Sequence, residues 1–388
     1  MNMIKRENLL NAIDLRLKES PIVALLGARQ VGKTTLAKLY GEKLDRHAWH
    51  YFDLEDPRDQ ARLSQPQMAL EDLGGLIVLD EIQRVPELFP ILRVLADDPN
   101  IKNRFMLLGS ASPELMRQVS ESLAGRIAFV DVGGFHQREL PHDCRKDLWW
   151  RGGFPRAFLA SSDSFARRWH LDFFRTFLER DIPQLGLSIP AYTLRRFWTM
   201  IAHYHGQIIR FSELARSMSI SEPTAKRYVE ILTGTFMVRL LPPWFENLKK
   251  RQVKSPKVYL RDSGIFHALI GIESRDALLS HPKLGASWEA YCMEQILALV
   301  GSHEAYFWAT HAGAELDLLL FRKGKRLGVE FKYMDAPRMT PSMKRASEDL
   351  KLDKLLVVYP GSLSFPLDRN MDVLSLEDAL KILESSSE

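Results

Sequence analysis

Short apolar runs recur through the N-terminal part of the chain: Ile22–Leu26, Trp49–Leu54, Leu76–Leu79, Arg104–Leu108 and Ile127–Val132. Runs of this length, bounded by polar or turn-forming residues, predict buried strands. Patterns of helical period separate them, one opening at Thr35 and one over Pro113–Ala124. Further on, Phe211–Met218 and Glu222–Leu232 predict two short helices around a turn, Ser219–Ser221, followed by strands over Phe236–Leu241 and Val258–Leu260. The C-terminal part predicts a helix over Gly285–Val300 and strands over Leu318–Phe321 and Leu327–Phe331, joined by a turn at Lys323–Lys325. A strand over Leu355–Tyr359 and a helix over Leu376–Leu383 complete it.

Two of the apolar runs end in residues with a specific chemistry. After Leu26 comes Gly27-Ala28-Arg29-Gln30-Val31-Gly32-Lys33-Thr34, a match to G-x-x-x-x-G-K-[ST] between a strand and a helix. Glycines let backbone N–H groups turn onto phosphates, Lys33 reaches the β and γ phosphates, and the Thr34 hydroxyl ligates the accompanying magnesium ion. ATP and Mg2+ are therefore the expected ligands, with residues 27–34 and Thr35 around the phosphates. The second run, Leu76 to Leu79, closes on Asp80-Glu81. Asp80 is suited to hold magnesium through its water shell, and Glu81 to orient and deprotonate the attacking water.

With these motifs on the page the chain resembles bacterial and archaeal AAA+ ATPases whose P-loop domain is joined to a C-terminal domain of uncharacterised type. The likeness is carried by GARQVGKTTL (27–36), LIVLDEIQ (76–83), LLGSAS (107–112), ESLAGR (121–126), GGFPRAFL (152–159) and FLERDI (177–182), and it extends over nearly the whole chain. It implies that a strand between the P-loop and Asp80 strands ends in a polar sensor of the γ phosphate, Ser110 or, failing it, Ser112. It implies that Arg126 is an arginine finger reaching a neighbour's site, which favours a homo-oligomeric ring, with a monomer left open. Residues 140–190 become a helical lid, with Arg156 as a second sensor. GGFP and ERDI mark the family without declaring a role.

Composition keeps the chain among globular, multi-domain proteins: 388 residues, 46% hydrophobic and 26% charged. Two cysteines, Cys144 and Cys292, make a disulfide framework improbable, and neither a membrane span nor a signal peptide is evident, so a cytoplasmic location is expected. Charge is unevenly spread. Residues 191–261 hold thirteen Lys or Arg against four Asp or Glu, within a chain of net charge +4. Basic charge concentrated in one module attracts a phosphate backbone. The two helices in this segment form a helix-turn-helix pattern, with Leu214, Ala215, Ile220, Val229 and Leu232 inside. Thr224, Lys226 and Arg227 would face DNA, and Lys249, Lys250 and Arg251 would form a basic wing. Winged helices also serve as protein-interaction modules. His203, His205 and His311 lack partners at zinc-ligand spacing and read as structural.

A second constellation follows. Glu289 lies on the predicted helix, Asp317 opens a strand, and Glu330-Phe331-Lys332 ends the next one. Alternation along a strand puts Glu330 and Lys332 on one face, where both can meet Asp317. The order resembles the PD-(D/E)xK nuclease core of restriction enzymes and junction resolvases, though Leu316 stands where the pattern has proline. The resemblance implies Glu289, Asp317 and Glu330 as ligands of a second Mg2+ or Mn2+, Lys332 as the group activating water, and Glu315 as a spare carboxylate.

The expected fold is thus α/β in four parts: an AAA+ P-loop core (1–140), a helical lid (141–190), a winged helix-turn-helix (191–275) and a restriction-endonuclease-like domain (276–388). The expected function is ATP-dependent binding or remodelling of DNA, branched or damaged DNA included, with metal-dependent cleavage as an additional activity. The alternative is a nucleotide-switched regulator that binds protein or promoter DNA and cuts nothing.

Overall fold

The computed structural model describes residues 4–45, 47–109, 121–185, 187, 189–246 and 252–385. Five parallel strands form the first sheet: β1 (Ile22–Leu26), β2 (Trp49–Asp53), β3 (Leu76–Asp80), β4 (Arg104–Gly109) and β5 (Ile127–Asp131), in the order β2-β3-β4-β1-β5. The strand preceding Ser110 is therefore wedged between the P-loop and Asp80 strands. Both faces are covered, which is why the strands read as unbroken apolar runs. Ile22, Ala24, Ile77, Leu79, Phe105 and Leu107 pack on helix Leu88–Asp97, whereas Val23, Leu25, Val78, Met106 and Leu108 face helices Glu7–Glu19 and Lys33–Gly41. Because the strands are parallel, the loops after β1 and β3 open at the same edge, where ligands of such sheets bind.

Helices Arg145–Arg151, Pro155–Phe158 and Asp163–Thr176 follow, the last continuing into a π-helical turn, Phe177–Asp181, and a short helix, Ile182–Gln184. Phe174 and Phe177 meet Trp198 of helix Ala191–His203 at ring-centroid distances of 5.3 and 5.1 Å. The GGFP stretch acquires a structural role here. Gly152 has φ +78°, and a Cβ there would lie 2.1 Å from Asp262 Oδ1. That close approach lets Gly153 N–H donate to Asp262 Oδ2 at 2.7 Å while Oδ1 caps helix Ser263–Leu269 through Ile265 N–H at 2.8 Å.

Helices Phe211–Met218 and Glu222–Gly234 occur as the sequence indicates, and Leu214, Ala215, Val229 and Leu232 are buried between them. Ser219 takes a left-handed conformation in the turn, and Ser221 caps the second helix by accepting from Thr224 N–H at 3.2 Å. Behind them β6 (Gln207–Ile208), β7 (Val238–Leu241) and β8 (Lys257–Leu260) form an antiparallel sheet with β8 central.

The C-terminal domain is a mixed six-stranded sheet: β9 (Ala305–Ala309), β10 (Glu315–Arg322), β11 (Lys325–Phe331), β12 (Lys354–Tyr359), β13 (Phe365–Asp368) and β14 (Met371–Ser375), ordered β13-β14-β12-β11-β10-β9. Helices Leu284–Val300 and Leu376–Ser385 cover one face, and helix Pro341–Leu350 covers the other. Isolated pairings of Pro243 with Phe307 and Gln252 with Thr310 fasten the winged segment to the β9 edge. Among the described residues no helix is long and apolar enough to cross a membrane.

Candidate functional site

The loop from Gly27 to Gly32 wraps the C-terminal end of β1, and Gly32 at φ +96° turns the chain into helix Lys33–Gly41. Gly27, Ala28, Val31 and Lys33 are buried, Gln30 adopts a left-handed conformation, and Thr35 is exposed on the first helical turn. Lys33 Nζ donates to the carbonyls of Gly27 and Ala28, each at 2.9 Å. Burial pushes its pKa down to about 8, against the pull of Glu81 and Asp80. An ammonium satisfied by loop carbonyls at the mouth of a helix is poised to exchange them for phosphate oxygens. Thr34 Oγ1 donates to Asp80 Oδ2 at 2.6 Å, and Tyr51 O–H donates to the same oxygen at 2.8 Å. These are the hydroxyl and carboxylate that the chemistry of a phosphate-bound magnesium requires, gathered at one edge of the sheet.

Glu81 takes φ +57°, a left-handed conformation that a side-chain-bearing residue adopts at a cost of roughly 1–3 kcal/mol. Gln83 Nε2 donates to its Oε2. In front of Lys33 and Glu81 lies a cavity of about 220 Å³, also lined by Arg29, Arg84, Phe177, Asp181, Gln184 and Thr235. Three of these come from the π-helical turn and its continuation, and Thr235 directly follows helix Glu222–Gly234. Arg29 NH1 donates to Asp181 Oδ1 at 2.8 Å and to Gln184 Oε1 at 3.2 Å. Burial raises the Asp181 carboxyl, and Arg29 opposes that shift. A larger cavity of about 640 Å³ flanks the loop on its Ala28 and Val31 side, between β5, the winged segment and helix Leu284–Val300, but it contains neither Lys33 nor Glu81.

The other expected ATPase residues are placed differently. Arg126 precedes β5, and its carbonyl accepts from Ile22 N–H, so it sits at the N-terminal edge of the sheet, opposite the P-loop. Its guanidinium grips the Asp97 carboxylate at 2.5 and 2.8 Å. Arg156, on the short helix whose first residue, Pro155, lies beside Gly32 of the P-loop, lines a depression with Phe165 and Trp169. Ser110 and Ser112 lie outside the described residues.

On the helix-turn-helix, Lys226 and Arg227 are exposed and Thr224 is half-buried, with Lys226 paired to Glu222 at 3.0 Å. Lys249, Lys250 and Arg251 lie outside the described residues. The strands beside them carry their central side chains inward: Lys257 and Tyr259 are buried, and both face the C-terminal domain.

There the carboxylates Glu289, Glu315 and Asp317 surround an ammonium. Lys257 Nζ lies 3.5 Å from Glu289 Oε1 and 3.4 Å from Asp317 Oδ1, and it pairs with Glu315. Tyr259 O–H donates to Glu289 Oε1 at 2.5 Å, Phe331 N–H to Asp317 Oδ2 at 3.1 Å, and Lys332 Nζ to Glu330 Oε2 at 2.8 Å. Burial pushes the Glu289 and Glu330 carboxyls up, and the nearby Asp317 adds to both. The sequence-predicted residues thus converge, but the cation among them is a side chain. Among the described residues no group of three or more His, Cys, Asp or Glu is set to hold a metal ion. The chemistry of the donors suits a divalent ion; the arrangement around Lys257 does not.

Sequence reasoning missed Asp181, Tyr51 and Thr235 at the first site and Lys257 and Tyr259 at the second. ERDI was visible as a motif, but only the fold brings it over the P-loop.

Residues 19–141 match the family model of an AAA domain, and residues 143–276 and 284–379 match two domains of unknown function, DUF8612 and DUF4143. The chain is 47% identical over 365 residues to "Uncharacterized protein Rv2008c" of Mycobacterium tuberculosis, spanning 94% of this chain and 82% of that protein. "Uncharacterized protein Mb2031c" of Mycobacterium bovis matches to the same extent. Among solved structures, a Walker-type ATPase of Pyrococcus abyssi, PABY2304, shares the fold with a TM-score of 0.50 at 17% identity, over 69% of this chain and 96% of that one.

Proposed function

From the premise that the chain belongs to the family of AAA-domain P-loop ATPases with a C-terminal domain of unknown function, we propose that ATP binding and hydrolysis control how its basic helix-turn-helix engages DNA. One observation carries this reading. Helix Glu222–Gly234, which exposes Lys226 and Arg227, gives way at its C-terminal end to Thr235, and Thr235 lines the cavity in front of Lys33 and Glu81. A change of phosphate occupancy therefore acts on the end of the helix whose other end meets the DNA backbone.

The ATPase chemistry falls to this chain's own residues. Lys33 and the N–H groups of 27–33 hold the phosphates, Thr34 and Asp80 hold magnesium, and Glu81 orients the attacking water and takes its proton. Magnesium, when bound, neutralises charge on the β and γ phosphates. Arg126, on the opposite edge, acts on phosphate only in a neighbouring copy.

A second reading, a switch that engages DNA or protein without cutting, is favoured by Lys257. Its ammonium stands where a nuclease would need a divalent ion, so cleavage is not assigned to the C-terminal domain in this conformation. The paired test is ATPase rate with and without duplex, forked and four-way DNA, alongside cleavage of the same DNA with Mg2+ or Mn2+. We expect stimulation by DNA that is lost in Lys226→Ala/Arg227→Ala, and no cutting. Hydrolysis indifferent to every DNA would defeat the DNA reading; cutting lost in Lys332→Ala would defeat the switch.

A further inference from the structure

We propose that Arg29 is a ligand of the terminal phosphate supplied by the P-loop itself, and that Asp181 holds Arg29 away from that position until a nucleoside triphosphate arrives. This rests on the P-loop reading above and adds the step by which the site distinguishes triphosphate from diphosphate.

Arg29 and Lys33 line one cavity with Glu81. In the structure the Arg29 guanidinium donates to Asp181 of the ERDI segment and to Gln184, two residues beyond it. Asp181 is only 8% exposed, and its Oδ2 has no hydrogen-bond partner among the described residues. A buried carboxylate with one oxygen satisfied is a costly arrangement that persists because Arg29 pairs with the other. Three cations, Arg29, Lys33 and Arg84, line this cavity with the carboxylates of Glu81 and Asp181, and Asp80 lies close enough to act on Lys33.

A terminal phosphoryl group entering in front of Lys33 changes the balance. It repels the Asp181 carboxylate and offers Arg29 a more highly charged partner with several acceptor oxygens, to which guanidinium binds in fork geometry. Arg29 exchanges Asp181 for phosphate. A diphosphate ends one phosphoryl group short and leaves the pair intact.

Asp181 closes the π-helical turn Phe177–Asp181, a kind of irregularity frequent at functional sites. Phe177 of that turn lines the cavity in front of Lys33 and packs on Trp198 at 5.1 Å, so the turn links that cavity to the first helix of the basic module.

The test uses the full chain and fluorescent analogues of ADP and of a non-hydrolysable ATP. Arg29→Gln should weaken the triphosphate analogue at least tenfold and leave the diphosphate unchanged, with Arg29→Lys in between. Asp181→Asn, which keeps the side-chain shape, should bind the triphosphate more tightly and the diphosphate as before. Hydrogen exchange over 177–185 should respond to the triphosphate in wild type and not in Arg29→Gln. Equal weakening of both nucleotides in Arg29→Gln, or an Asp181→Asn variant with unchanged preference, would overturn the proposal. Lys33→Ala separates the two levels: if it binds both analogues as wild type does, the P-loop reading fails, whatever Arg29 shows.

Discussion

An ammonium removed from water is stable only where carboxylates meet it, and Lys257, 2% exposed, is met by Glu289, Glu315 and Asp317. Those carboxylates need Lys257 in turn, since without it their charges face one another across a site where Lys332, hydrogen-bonded to Glu330, acts on Asp317 and Glu289 through space alone. Lys257→Met should therefore cost about 3–5 kcal/mol, the penalty of breaking a buried pair from one side. Glu315→Gln, on a half-exposed partner, should cost no more than about 1 kcal/mol. Urea unfolding of both variants checks the contrast, and a Lys257→Met chain as stable as wild type would show that the carboxylates manage without the ammonium. The sequence shows why this residue is easily misplaced. In Lys257-Val258-Tyr259-Leu260 the alternation puts Lys257 and Tyr259 on one face, which reads as the outward face of a wing until another domain covers it. Glu330 and Lys332, by contrast, were legible because strand alternation puts them on one face, and the pairing of β10 with β11 brings Asp317 to them.

Within single elements, local rules were sufficient where burial was local. The helix-turn-helix followed from its periodic apolar positions and from Pro223 in the first turn of the second helix, and the structure adds the Ser221 cap. Strand β9, helix Pro341–Leu350 and the β13–β14 hairpin were not foreseen, although the Thr340 cap and Pro341 at the head of that helix are a local signal for it. Histidine 205, which the sequence marks only as structural, shows how an element junction is held. His205 Nδ1 accepts from Leu260 N–H at 2.9 Å, and its ring stacks on Phe266 at 3.9 Å. Burial, reinforced by Lys283 and His267, lowers its pKa from 6.5 to about 3. Because the folded value lies below the unfolded one, the stability this group provides is complete above the unfolded pKa and is lost as pH falls toward the folded one. His205→Asn removes the titration while leaving a side-chain acceptor. It should be the less stable protein near neutrality, and the gap should narrow by up to about 1.4 kcal/mol per pH unit as acidity increases below the unfolded value. Subtracting the two pH profiles cancels groups common to both, including Asp262, whose buried carboxyl is raised to about 6 and titrates with the opposite sign. A gap independent of pH would mean that His205 is not held neutral.

At the scale of the whole molecule, the winged segment and the C-terminal domain are joined by charge as well as by strand pairing. Glu294, on helix Leu284–Val300, pairs with Arg239 of β7 and lies 3.5 Å from Arg261; burial raises its carboxyl, but the two guanidiniums outweigh that and hold it below the usual range. Tyr259 reaches Glu289, His267 reaches Ser287 Oγ at 2.7 Å, and Gln137 N–H donates to Gln295 at 2.7 Å, all on the same helix. The bonds of Arg239, Arg261 and Tyr259 to Glu294 and Glu289 are made across the junction, so the two parts should unfold together. Glu294→Gln removes the carboxylate that Arg239 and Arg261 pair with, leaving Asp131 as the counter-charge acting on both, and should destabilise this unit by about 3 kcal/mol. Calorimetry should show one transition for both parts in wild type, lowered in Glu294→Gln, with faster hydrogen exchange in β7 and in helix Leu284–Val300 alike. Faster exchange in the helix alone would mean that the junction is looser than its ion pairs indicate, and that the C-terminal domain moves independently of the nucleotide.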